Sequence, residues 1–237
     1  MRPYLQLIVE GLLDLVYPTK CVVCEEFGPS YLCSSCLSSI EPVPEPYCPV
    51  CGHPVSGKQC QNCIGRKRSF SAARAAGTYE GALREAIHKF KYSGARMLAK
   101  PLAELMFEYL SGHADIPWRK ADFIVPVPIH PARERQRGYN QSYLLAECLS
   151  KKTGKPLLAD AIIRRRYTQP QVGLPGELRR TNVRGAFAVC GHSNFQGKTI
   201  LLVDDVSTTC STVHECSATM LQSGAASVYV ICLAFGA

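Results

Sequence analysis

Apolar residues in this chain change their spacing several times, and each change predicts a different element. Near the N-terminus Leu5, Ile8, Leu12, Leu15 and Val16 recur at helical steps, which predicts an amphipathic helix over residues 1–18. Its apolar face suits packing against a core or a partner, with a membrane surface as the alternative. Beyond residue 70 the pattern alternates. Leu83, Ile87 and Phe90 predict a helix over 80–92, and a second follows over 97–110, starting near Pro101. A third spans 139–152 and stops at Gly154; a fourth spans 211–223 and stops at Gly224. Between them, residues 122–127, 200–203 and 228–234 read as strands. The run Ile200-Leu201-Leu202-Val203 has no polar alternate, so both of its faces are buried, as in a parallel sheet. Strands alternating with helices predict a parallel α/β domain over residues 70–237.

Residues 19–66 have few large apolar side chains, and cysteines take their place. Cys21, Cys24, Cys33 and Cys36 repeat as Cys48, Cys51, Cys60 and Cys63, each shifted by 27 positions. Two cysteines three apart can wrap one side of a metal, and a second such pair completes a tetrahedral thiolate set suited to zinc. A closed shell of four sulfurs leaves no open position, so the expected role is structural, and metal binding supplies the folding energy that a small core lacks. Two zinc ions are expected; an iron–sulfur cluster and redox-active disulfides are the alternatives. With a complete cysteine set, His53 is expected to be a loop residue rather than a ligand.

The N-terminal apolar run is interrupted by Glu10 and Asp14, no small-residue cleavage site follows, and it is too short to span a bilayer. The cysteine spacing therefore suits metal sites in a reducing cytoplasm rather than a secreted disulfide framework. Residues 1–68 carry as many acids as bases, so the whole formal charge of +8 belongs to the remainder. That excess suits an anionic partner, a phosphorylated small molecule or a nucleic acid, although solubility alone also explains it. Two four-thiolate zinc sites would add about −2 each, which disfavours nucleic-acid binding by the cysteine module itself.

The most informative segment is Ile200-Leu201-Leu202-Val203-Asp204-Asp205-Val206-Ser207-Thr208-Thr209-Cys210-Ser211-Thr212. Asp204 and Asp205 leave the strand end, where two acids can accept hydrogen bonds from the vicinal hydroxyls of a ribose. Ser207, Thr208, Thr209, Cys210, Ser211 and Thr212 then open a helix whose free N–H groups and hydroxyls suit an anion. Together they fit a ribose 5-phosphate. An N-capped helix beside a solvated acid pair is the plain alternative.

This segment resembles the signature of type I phosphoribosyltransferases. Further motifs are similar to one branch, the ComF/GntX competence-associated family: Tyr79-Glu80-Gly81, Phe90-Lys91-Tyr92, Ile124-Val125-Pro126-Val127-Pro128, His130-Pro131, Arg137-Gly138, Asn140-Gln141, Gln169, Gln171 and Asn182-Val183-Arg184-Gly185-Ala186-Phe187. The resemblance spans nearly the whole chain and implies a type I phosphoribosyltransferase-like parallel sheet behind a double zinc ribbon. It also implies phosphoribosyl pyrophosphate as ligand, with Mg²⁺, and a nitrogen nucleophile displacing pyrophosphate from the sugar. Arg133, Arg135 and Arg137 occupy the expected pyrophosphate loop, and Lys89 and Lys91 end a helix nearby. Arg179, Arg180 and Arg184 lie in a polar connection that could cover the site. His130 is either a general base or a structural residue beside Pro131. The family usually has Gly where this chain has Cys210, so phosphate affinity should fall unless that residue is already helical.

No segment identifies an acceptor base. Three functions follow as expectations. The first is phosphoribosyl transfer, a pentosyl-transferase activity. The second is DNA uptake in natural transformation with single-stranded DNA binding, for which Tyr92, Tyr139 and Tyr143 are stacking candidates. The third is a ligand-sensing scaffold that docks a protein of the competence machinery through its cysteine module.

Overall fold

A computed structural model describes residues 18–57, 59–166, 183–191 and 194–236. The helix expected over 1–18, apart from Pro18, lies outside the described residues, as do Gln169, Gln171, Arg179, Arg180 and Asn182.

Four parallel strands form the main sheet: β1 (Ala72–Thr78), β2 (Phe123–Pro126), β5 (Thr199–Ser207) and β6 (Ser227–Phe235), in the order β1-β6-β5-β2. A separate antiparallel pair, β3 (Ile162–Arg164) with β4 (Phe187–Val189), stands outside this sheet. The helices are α1 (Ser34–Ser38), α2 (Gly81–Tyr92), α3 (Ala99–Gly112), α4 (Pro131–Arg137), α5 (Gln141–Thr153) and α6 (Ser211–Gln222). The expected helices α2, α3, α5 and α6 all form, with α3 entered through a 3₁₀ turn at Arg96–Leu98.

The apolar run in β5 reads as buried on both faces, and it is. Leu201 and Val203 enter one core with Leu83, Ile87 and Phe90 of α2 and Leu145 of α5. Ile200 and Leu202 enter the other, with Val213 and Met220 of α6. Alternate side chains of an extended strand leave on opposite faces, so an unbroken apolar run is what a doubly covered strand requires. β5 continues four residues past its expected end, because β6 stays in register with it as far as Ser207 opposite Phe235.

β1 was not legible as a strand, since its sequence AARAAGT lacks the β-branched and aromatic residues that strands favour. Its small residues have a packing reason. One edge of β1 pairs with β6 and the other is covered by the cysteine module. Ala73 N–H donates to Val50 O at 2.8 Å, and Thr78 N–H donates to Glu41 O at 3.0 Å. An open sheet edge is thereby satisfied without a further strand. The module reaches both cores: Cys21 and Cys36 join the one under α2 and α3, while Cys48 and Cys51 join the one under α6.

This seating requires close backbone approach at Gly52, whose φ is +74° and where a β-carbon would lie 2.4 Å from Ala73 O. Gly65 has a similar φ of +65° with open space around it. Gly65→Ala is expected to cost about 1–2 kcal/mol for the left-handed backbone alone. Gly52→Ala should cost clearly more and loosen the module from β1, as read by chemical denaturation of the two variants side by side.

Candidate functional site

The two cysteine sets are assembled as their spacing predicts. In each, all four sulfurs lie within 4.8 Å of one another. A tetrahedron with Zn–S bonds near 2.3 Å has edges of about 3.8 Å. The observed edges include 3.7 Å for Cys21–Cys36 and Cys24–Cys33, and 3.9 and 3.4 Å for Cys48–Cys63 and Cys51–Cys60. Backbone N–H groups point at the sulfurs, as from Cys33 to Cys21 Sγ at 3.5 Å and from Cys36 to Cys33 Sγ at 3.4 Å. At Cys21, burial opposes ionisation, but the N–H groups of Cys33, Cys24 and Val23 outweigh it and bring the thiol down to about 6. Cys48 falls to about 7 by the same balance, with Cys51 and Val50 as donors. Burial and the crowded neighbouring sulfurs push Cys36 up, and burial leads in raising Cys63 to about 12. Four adjacent thiolates therefore need a cation among them, and the donor set fits zinc. The residues that would hold it are Cys21, Cys24, Cys33 and Cys36 at the first knuckle and Cys48, Cys51, Cys60 and Cys63 at the second.

Asp204 and Asp205 sit inside β5 rather than beyond it, and each is only 8% exposed. As neighbours in an extended strand they leave it in different directions. Asp205 meets α2, where Lys91 Nζ lies 2.8 Å from its Oδ1. Asp204 meets α5, where Ser142 Oγ donates to its Oδ1 at 3.0 Å. Local sequence positions both partners. Asn140 caps α5 by accepting from Ser142 N–H, and its own side-chain amide donates to Val127 O at 3.1 Å, tying the helix to the end of β2. Burial first, and then the charge of Asp205, push Asp204 up to about 7, against the opposing pull of Lys91. Burial would lower the Lys91 ammonium, but the attraction of Asp205 overrides it and the net shift is upward.

Next to the acids, Ser207, Thr208, Thr209, Cys210, Ser211 and Thr212 form the turn into α6. Thr209 and Ser211 hydroxyls hydrogen-bond each other at 2.7 Å, and among the described residues no side chain of the N-cap position caps the helix. Cys210 is left-handed, with φ 57° and ψ 16°, so it is not the right-handed helical residue that would accept a side chain without strain. Its side chain is 2% exposed, with Sγ 3.5 Å from Ser207 Oγ and 3.8 Å from His53 Nδ1.

The expected pyrophosphate residues separate. Arg133, Arg135 and Arg137 lie on the short helix α4, a segment read in sequence as a loop. Arg137 Nη1 donates to Gln141 Oε1 at 3.0 Å and its guanidinium covers the Tyr92 ring at 5.1 Å. Arg135 is exposed, and Arg133 is half-buried near Arg164. Lys91 is on Asp205 instead. His130 caps α4, its Nδ1 accepting from Ala132 N–H at 3.1 Å, which favours the structural reading. Of the tyrosines, Tyr139 is core, with its hydroxyl donating to Phe90 O; Tyr143 bonds Glu147; Tyr92 remains 56% exposed. His53 is a loop residue, as expected, but a buried one, stacked on Phe235 at 4.2 Å.

Arg164 was missed. It is buried in β3, and burial first, then the charge of Arg133, depress its guanidinium while Asp204 supports it. The one available signal was its position as the first charge after the apolar triplet Ala161-Ile162-Ile163.

Taken together, these features define a parallel α/β protein with a double zinc ribbon seated on the edge of its sheet. The family signature "Double zinc ribbon domain" matches residues 12–64. Competence protein F of Haemophilus influenzae is 31% identical over 89% of this chain and 94% of its own length. DNA utilization protein YhgH of Escherichia coli O157:H7 is 33% identical, covering 92% and 98%. Competence protein ComFC of Bacillus subtilis is 28% identical, covering 82% and 80%. The chain belongs to the family of competence protein F and DNA utilization protein YhgH. Purine phosphoribosyltransferase from Pyrococcus horikoshii Ot3 is similar at 20% identity over 63% of this chain and 73% of that one, with a TM-score of 0.34, too low to bear on function. Among the described residues no helix is long and apolar enough to cross a membrane.

A carboxyl raised on folding contributes stability that is present below its unfolded value and is lost as pH rises through its folded value. For Asp204 that window runs from about 4 to about 7. Thermal denaturation of the ligand-free protein should show stability declining across it, and Asp204→Asn should flatten the decline.

Proposed function

We propose that the chain binds phosphoribosyl pyrophosphate, or a related ribose 5-phosphate, and acts in DNA uptake or utilization through a surface that binds single-stranded DNA. The observation that carries the ligand half is the buried acid pair of β5 joined without a break to the hydroxyl-rich turn into α6. Asp204 and Asp205 accept from the ribose hydroxyls. The turn from Ser207 to Thr212 supplies hydroxyls and the N–H groups of a helix start to the 5-phosphate. Arg164, which interacts with Asp204 and has Arg133 near it, supplies positive charge on that side, where a pyrophosphate would gather negative charge. Mg²⁺ bound with the ligand would neutralise part of that charge. Lys91 balances Asp205 while the site is empty, and is released toward the pyrophosphate when sugar hydroxyls replace it.

The DNA half is supported by the names of the relatives, by the basic excess of residues beyond 68, and by Tyr92, an exposed ring covered by Arg137. A base can stack on such a ring, and a basic surface tracks phosphates with steep salt dependence. Protein partners from the competence machinery would dock on the cysteine module.

The test is calorimetric titration with phosphoribosyl pyrophosphate and Mg²⁺. Binding heat is expected for the wild type, and Asp204→Asn/Asp205→Asn should lose at least about tenfold in affinity, as expected for two hydrogen bonds to charged groups. Equal heats from both proteins would move the ligand elsewhere. Pyrophosphate release in the same mixture, with candidate nitrogen nucleophiles added, separates a transferase from a binder.

A further inference from the structure

The second cysteine knuckle forms a wall of the turn into α6. Asn62, between the ligands Cys60 and Cys63, donates from Nδ2 to Thr208 O at 3.5 Å. His53, two residues after the ligand Cys51, has Nδ1 3.3 Å from Cys51 O and 3.8 Å from Cys210 Sγ. Its other face stacks on Phe235, the register partner of Ser207 at the start of the turn. His53 Nε2 is buried with no hydrogen-bond partner among the described residues. The imidazole therefore serves as a packed spacer between metal knuckle and turn. A third link follows the module, where Ser69 N–H donates to His214 Nδ1 at 3.0 Å in the first turns of α6.

These contacts meet the turn where its backbone is least self-supporting. Cys210 holds a left-handed conformation that a β-carbon disfavours, and something outside the turn must hold it there. The first knuckle offers a built-in control. Its cysteines pack in the core on the opposite face of the sheet, and among the described residues it shares no hydrogen bond with the turn.

We infer that the second zinc knuckle positions the phosphate-binding turn, with Asn62, His53 and Cys210 as the positioning residues, so that zinc retention at that knuckle and sugar-phosphate binding are coupled. This rests on the phosphoribosyl reading above. Coupling between two sites is reciprocal. A ligand that fixes Thr208 and Cys210 also fixes Asn62 and His53, and through them the loop carrying Cys51, Cys60 and Cys63. The first knuckle gains nothing from the ligand.

The experiment uses the full chain with both zinc ions bound, under a reductant that does not bind metal. Calorimetry first establishes whether phosphoribosyl pyrophosphate with Mg²⁺ binds. Zinc is then extracted at equilibrium by chelators of graded strength, with and without saturating ligand. One of the two zinc equivalents should become about fivefold or more harder to extract, the lower edge of ordinary coupling, while the other is unchanged. Cys24→Ser weakens the first knuckle alone and assigns the unprotected equivalent to it. Asn62→Ala and Cys210→Gly, each still holding two zinc ions by elemental analysis, should lose most of the protection. Binding heat with neither equivalent protected, or with both protected alike, overturns the coupling and leaves the phosphoribosyl reading standing. No binding heat removes both.

Discussion

Two carboxylates buried side by side at the end of an apolar strand repel each other and lose their hydration together, and the fold around β5 is arranged to tolerate this. Lys91 answers Asp205 at 2.8 Å, and Ser142 with the Asp205 N–H answers Asp204. The answer is incomplete: Lys91 pairs with Asp205, and Asp204 is left pushed up to about 7. A buried site with such an imbalance is suited to a ligand that brings hydroxyl donors and a cation. The imbalance costs the ligand-free fold stability.

The cysteine module solves a different problem. A four-stranded parallel sheet has two exposed edges, and that of β1 is closed by the module through backbone bonds at Ala73 and Thr78. The alanines of β1 and the glycine at 52 allow the approach, and the module's sulfurs extend both cores. Zinc is thus more than a local staple. It fixes a surface against which the sheet edge, the Phe235 end of β6 and the turn into α6 all pack.

Arginine placement shows how much context decides. Arg133, Arg135 and Arg137 look equivalent in sequence, yet a helix spaces them around its axis. Arg137 is drawn to Gln141 and Tyr92, Arg135 faces solvent, and Arg133 lies near Arg164, which interacts with Asp204. Arg164 comes from β3, outside the main sheet. The basic charge is therefore divided between the acid site and a surface where Tyr92 is the exposed ring.

Local pattern was enough for the two cysteine sets, the four main helices and the strands β2, β5 and β6. Each rests on residues close in sequence, where thiolate spacing, helical period or unbroken apolar character acts directly. β1 was hidden because alanine favours a strand only when something packs tightly against it. Arg164 and the Lys91–Asp205 pair were hidden because their partners lie on other elements. The meeting of Cys210 with His53, 157 positions apart, could come only from the tertiary fold. Residue type could say only that a cysteine stands in the turn; its left-handed backbone and the burial of its sulfur beside His53 belong to the tertiary fold.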